Sequence, residues 1–261
     1  MAENESGTVM LPPAKTQEAF VHIGFAKARL TRGRAFVLAI LAGAFVALGA
    51  SFMLMVRSDA SLAPSISLIL GGLAFCLGLF LVLVAGAELF TGNCLFLLPL
   101  LRGDITGGRT MGSWAIVYCG NLIGSIVIAF VVVRCGVLDS IAPAAIATAA
   151  AKASLPFGAA FLRGVLCNLL VCLAVWMAFC AGSAGGKVVS LYEPIFLFVL
   201  CGFEHSIANM FYLPAGILLS GGAEVTWLDF LRNLGPVTLG NMAGGCGLGV
   251  ILYMLYGKSS Q

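Results

Sequence analysis

The sequence predicts an all-α membrane protein in which six transmembrane helices form an inverted repeat of three, with the second and fifth helices broken. Three observations predict it. Of 261 residues, 61% are hydrophobic and only 10% are charged, far from the balance of a water-soluble domain. The apolar residues gather into six runs of about 20 residues or more, the length an α-helix needs to cross the hydrocarbon core. The first half of the chain is also echoed, motif by motif, in the second.

The N-terminal residues 1–34 read as a cytoplasmic amphipathic helix. The first thirty residues carry Glu3 and Glu5 and lack the early apolar core and cleavage site of a signal peptide, so none is expected. Across residues 16–30, Phe20, Ile23, Phe25 and Leu30 alternate with polar residues, and Lys27, Arg29, Arg32 and Arg34 gather at the end. This pattern fits a helix lying on the membrane surface and leading into the first span. Residues 35–257 then form the six-helix domain, with runs at 35–56, 66–101, 111–133, 157–182, 194–220 and 234–256 and repeat halves at about 35–137 and 157–257. Charged, Gly, Asn and Pro residues interrupt the second and fifth runs, marking them as broken helices. Residues 258–261 are a short tail.

With six spans, Lys15, Lys27, Arg29, Arg32, Arg34, Arg102, Arg109, Lys187 and Lys258 fall on one side, against Arg57, Arg134, Lys152, Arg163 and Arg232 on the other. The positive-inside rule then puts both termini in the cytoplasm, and the expected location is a bacterial cytoplasmic membrane. This bias accounts for the net charge of +3, so nothing points to nucleic acid. The nine cysteines are odd in number, lie mostly in the spans and lack metal-ligand spacing. They read as small apolar packing residues, with no metal and no cofactor expected.

Two motifs carry the repeat. Glu88-Leu89-Phe90-Thr91-Gly92-Asn93 is matched by Glu204-His205-Ser206-Ile207-Ala208-Asn209 at a spacing of 116 (88 to 204). Pro99 is answered by Pro214, and Gly120-Asn121-Leu122-Ile123-Gly124 by Gly240-Asn241-Met242-Ala243-Gly244 at a spacing of 120 (120 to 240). The unit is three helices, an odd number, so the second copy enters the membrane from the opposite side. Broken helices in such a plan meet near the midplane, where irregular backbone must be covered by protein or line a cavity. An ionisable group at that depth costs about 2.5–3.5 kcal/mol on insertion scales, which makes Glu88, Glu204 and His205 candidates for function. Asn121, Asn168 and Asn241 have a plainer reading as interhelical hydrogen-bonding residues.

The segments AELFTGN, GNLIGS, GVLCNLLVCLAVWMA, GFEHSIANMFYLP and NLGPVTLGNMAGG, in this order across residues 86–245, resemble signature stretches of the formate/nitrite transporter family. The resemblance implies an aquaporin-like fold and a homopentamer in the lipid bilayer with a pore in each protomer. It also implies transport of small monovalent anions of weak acids (formate, nitrite or hydrosulfide), with protons as partners. His205 would be the central pore histidine, Thr91 in the second-span loop its hydrogen-bonding partner, and Lys152, in a loop, the basic residue of the outer vestibule. Asn168 and Asn241 match the pore amides. Phe75, Leu79, Leu89, Phe90, Val171 and Phe198 fall where the family has its two apolar constrictions. The stretch around Lys152 lacks other basic residues, so that vestibule is expected to depend on Lys152 alone.

Physically, a lysine at a pore mouth concentrates anions, and an imidazole can donate a hydrogen bond while neutral or transfer a proton. A bare anion crossing a dry ring of Phe and Leu meets a large desolvation penalty that its neutral acid largely avoids. Glu88 and Glu204 would repel an anion from inside the lumen. They are therefore expected to face away from it and accept hydrogen bonds from backbone N–H groups freed by the breaks, with Asn93 and Asn209 as further structural polar residues. An intramembrane enzyme is the first rival, but the chain has no His-Glu-x-x-His, Gly-x-Ser-x-Gly or paired intramembrane aspartates. The second rival, a neutral-solute channel of the aquaporin type, would show paired Asn-Pro-Ala motifs, which are absent. The residues leave open the choice between channel and proton-coupled carrier, and among the three anions.

Overall fold

The computed structural model describes residues 10–257 as an all-helical protein; the tail assigned to residues 258–261, and the first nine residues, lie outside the described part. A helix α1 (Pro13–Ala28) precedes three passes: α2 (Arg32–Arg57), then α3 (Pro64–Val84) continued by α4 (Phe90–Asn93), a 3-10 turn and α5 (Leu97–Arg102), then α6 (Gly107–Arg134). The second half repeats the order with α7 (Ala142–Ala153), α8 (Phe157–Cys180), α9 (Ala184–Leu200) continued by α10 (Ser206–Ser220), and α11 (Trp227–Tyr256). Five of these helices, α2, α3, α6, α8 and α11, are long and apolar enough to cross a membrane. The remaining pass is made by α9 and α10 in series, since the 15 residues of α10 reach only about 22 Å.

The same device breaks both helices. At the end of α3, Gly86 takes a left-handed conformation with φ +66°, its N–H bonding to the Leu83 carbonyl while Ala87 N–H reaches back to Val82. At the end of α9, Gly202 has φ +64°, its N–H bonding to Val199 while Phe203 N–H reaches Phe198. Each is a Schellman stop, in which glycine bears a conformation that costs other residues about 1–2 kcal/mol. The breaks thus occupy residues 85–89 and 201–205, about three residues earlier than the sequence motifs suggest for the first. Thr91 consequently lies in the first turn of a helix and not in a loop.

Within each half the long helices pack closely, α2 on α3 and α6, α8 on α9 and α11. A Cβ on Gly124 would run into the Ile40 carbonyl, and one on its repeat mate Gly244 into that of Val165, so small residues let the backbones approach. The halves interlock where α10 crosses to α6 and α2, and where α3 packs on α9.

Two local expectations gain detail. One face of helix α1 packs on the protein: Thr16, Gln17, Phe20, Val21, Gly24 and Ala28 are buried against α5, α8 and α11, with Phe20 packed on Trp176 and Phe179. Of the apolar residues that mark the helix as amphipathic, Phe20 is buried in this contact while Phe25 is exposed. Lys152 sits in the last turn of α7, a helix favoured by its alanine-rich sequence, and not in a loop.

Candidate functional site

The two breaks end at equivalent N-cap residues, Leu89 for α4 and His205 for α10. Each break is braced by an asparagine from the following long helix. Asn121 Oδ1 accepts from the Phe90 N–H (2.9 Å), and its Nδ2 donates to the carbonyls of Ala39 (2.7 Å) and Glu88 (2.9 Å). Asn241 Oδ1 accepts from the Ser206 N–H (2.8 Å), and its Nδ2 donates to Gly164 (2.8 Å) and Glu204 (2.9 Å). Asn168 Nδ2 donates to the carbonyls of Asn241 (2.7 Å) and Thr91 (3.2 Å). Asn168 and Asn241 therefore spend their amides on backbone groups, among them the Ser206 N–H and the Glu204 and Thr91 carbonyls at the breaks. Asn241→Ala strands two such groups, the Ser206 N–H and the Glu204 carbonyl, at about 1–3 kcal/mol each; thermal unfolding of the detergent-solubilised protein is expected to show a loss of at least about 2 kcal/mol.

The glutamates follow a second repeated pattern. Glu88 Oε1 lies 2.9 Å from Lys27 Nζ, and its Oε2 accepts from Asn93 Nδ2 at 2.8 Å. Glu204 Oε1 lies 2.8 Å from Lys152 Nζ, and its Oε2 accepts from Asn209 Nδ2 at 2.6 Å. The carboxylates thus take side-chain donors, in contrast to the backbone N–H groups expected of them, because Asn121, Asn241 and His205 already occupy those. Lys27 is the site member that sequence reasoning missed, since in sequence it is one charge of the basic N-terminal cluster. A signal was present: Lys27 lies five residues before the start of α2 at Arg32, and Lys152 five before the start of α8 at Phe157.

At the centre, His205 Nδ1 accepts a hydrogen bond from the Ala208 N–H at 3.1 Å, and its Nε2 lies 3.0 Å from Thr91 Oγ1. Because Nδ1 is held as an acceptor, the ring carries its proton on Nε2, the nitrogen facing Thr91. Both side chains are buried. Phe198 stacks on the imidazole at 6.0 Å between centroids, and Phe75 meets Phe198 edge-on at 5.5 Å.

A cavity approaches this centre from each side. One, of about 70 Å³, is lined by Arg57, Phe75, Lys152, Phe198 and His205 among others. The other, of about 200 Å³, is lined by Phe20, Lys27, Leu79, Leu89 and Asn93 among others. Phe75 and Phe198 therefore stand on the Lys152 side, Leu79 and Leu89 on the Lys27 side. Phe90 and Val171 line neither cavity; Phe90 turns to α6, packing edge-on against Tyr118 and Trp114, and Val171 is buried in the core. Lys152 does not stand alone, since the structure brings Arg57 to the same cavity.

A six-pass inverted repeat whose breaks meet at a buried imidazole and hydroxyl, with a cavity toward each face, defines a channel for a small solute. The sequence profile of the formate/nitrite transporter family matches residues 14–255. The chain is 38% identical to the "Probable formate transporter" of Methanothermobacter thermautotrophicus over 95% of this chain and 97% of that one. Among solved structures it resembles an FNT family ion channel with a TM-score of 0.85 and 30% identity, over 92% of this chain and 98% of that one. It also resembles a pentameric formate channel with formate bound, with a TM-score of 0.77 and 35% identity, over 87% of this chain and 98% of the other. The chain belongs to the formate/nitrite transporter family: it is an integral membrane anion channel and not an enzyme.

Proposed function

We propose that the protein conducts formate and related small monovalent anions of weak acids, nitrite and hydrosulfide, with His205 and Thr91 as the hydrogen-bonding station at the middle of the path. The carrying observation is the 3.0 Å contact between His205 Nε2 and Thr91 Oγ1, with one cavity lined by Phe75, Phe198 and His205 itself and another lined by Leu79 and Leu89. An anion that sheds its water at either apolar ring needs replacement donors, and the Nε2–H and the Thr91 hydroxyl offer two. The formate-bound pentameric relative supports formate as the first candidate and a homopentamer as the assembly. The charge bias between loops supports cytoplasmic termini, with the Lys27 mouth inside and the Lys152 mouth outside a bacterial cytoplasmic membrane. In this arrangement residues 1–34 are the cytoplasmic segment, of which Phe20, Ile23 and Lys27 of α1 line the inner cavity, residues 35–257 the pore domain and residues 258–261 a tail.

The tautomer favours donation over proton transfer. A neutral imidazole holding its only proton on Nε2 must first gain one on Nδ1, giving up the Ala208 N–H bond, before it can release one to an anion. His205 therefore acts as a neutral donor, and any proton that crosses travels with the anion. Uptake of formate, nitrite and hydrosulfide into proteoliposomes, with and without a pH gradient, tests this reading. Formate entry driven by membrane potential without a pH gradient is the expected result; failure to admit any of the three overturns it.

A further inference from the structure

We infer that Arg57, and not Lys152, receives the anion at the Lys152 mouth, and that its guanidinium favours planar two-oxygen anions such as formate and nitrite over hydrosulfide. The inference rests on the channel reading above. Lys152 is poorly placed to capture an anion, because its Nζ is 2.8 Å from the Glu204 carboxylate and its side chain is 16% exposed. A contact ion pair presents a dipole, whose field falls off faster with distance than that of a single charge. The same ammonium also lies over the Tyr212 ring, 5.2 Å from its centroid.

Arg57, the last residue of α2, is exposed, lines the same cavity as Lys152 and His205, and makes no ion pair among the described residues. The nearest acid in sequence, Asp59, is turned to Ser61, accepting from its N–H at 2.9 Å and its hydroxyl at 2.6 Å. The arginine is also seated. Its carbonyl accepts from the Ser67 hydroxyl at 3.2 Å, and its stem crosses α3 at Gly71, where a Cβ would lie 2.5 Å from Arg57 Cγ and 3.0 Å from Cδ. The glycine leaves the groove in which the side chain lies. The other half offers no equivalent at this position, since α8 ends in Phe179 and Cys180.

Chemistry then sets the preference. A guanidinium presents N–H groups in a rigid fork that matches the two oxygens of a carboxylate, and nitrite has the same O–X–O shape; an ammonium attracts as a point charge. Hydrosulfide has a single acceptor atom and gains only the charge.

Flux of formate, nitrite and hydrosulfide into proteoliposomes, measured at low and at high inert salt for the full-length protein and for Arg57→Gln, Arg57→Lys and Gly71→Ala, tests the inference. Arg57→Gln is expected to lower formate and nitrite flux about tenfold at low salt, with the difference narrowing at high salt. Arg57→Lys should recover hydrosulfide more fully than formate. Gly71→Ala, which displaces the stem while keeping the charge, should lower the ratio of formate to hydrosulfide flux. Unchanged flux of all three anions in an Arg57→Gln protein that unfolds at the wild-type temperature overturns the assignment; equal recovery of all three by Arg57→Lys overturns the preference. A wild-type protein that admits none of the anions would instead overturn the channel reading itself.

Discussion

Replacing His205 with alanine is expected to cut formate flux by about ten- to a hundredfold, because a hydrogen bond to a charged group contributes about 1.5–3 kcal/mol. The substitution removes the Nε2–H that meets the anion, takes away the partner of Thr91 Oγ1 and strands the Ala208 N–H at the start of α10. His205→Asn separates these losses. An asparagine is a strong N-cap and can still accept from Ala208, so the helix start should survive. Its amide is shorter than the imidazole, so flux should recover only in part. Stopped-flow uptake across pH distinguishes the roles: the wild-type protein and His205→Asn should share one pH profile if the imidazole stays neutral. A step present in the wild type and absent in His205→Asn would show that the ring titrates during transport.

Lys152→Met is the second large effect expected, in stability and not in selectivity. It leaves the Glu204 carboxylate, whose side chain is only 4% exposed, with Asn209 as its remaining partner. Breaking a buried ion pair from one side costs about 3–5 kcal/mol, whereas removing both charges is often neutral. The double variant Lys152→Met/Glu204→Gln should therefore recover most of the thermal stability that Lys152→Met loses. The equivalent change at Lys27 should cost less, because its side chain is 28% exposed against 16% for Lys152, leaving water to help solvate Glu88. Unfolding temperatures in detergent for the two single variants and the double provide the check; a double variant no more stable than Lys152→Met would mean that charge pairing is not the cause.

Much of the architecture was legible in the residues because the bilayer imposes a coarse rule: apolar runs of sufficient length cross it, and an odd-numbered repeat inverts. The two broken helices were legible from their polar motifs, but the stops are set upstream by Gly86 and Gly202, whose positive φ no hydropathy pattern reveals. The docking of α1 was not legible, since Phe20 and Val21 form the same stripe whether it meets acyl chains or α8. Lys27 was hidden for a related reason. One lysine among several at a helix end looks like loop charge, and its partner Glu88 lies in a different element. The bracing by Asn121 and Asn241 was half visible: the repeat marked them as important, while only coordinates tell whether an amide faces a lumen or a backbone.

The pseudo-symmetry has a consequence for direction. Stops, asparagine braces and lysine–glutamate–asparagine sets are shared by both halves, yet the N-caps differ, Leu89 against His205, as do the residues two positions on, Thr91 against Ile207. The polarity of the pore is therefore written into a few side chains on a scaffold that is itself nearly indifferent to up and down. Exchanging these four residues between the halves would turn the station to face the opposite compartment while leaving the chain's threading untouched.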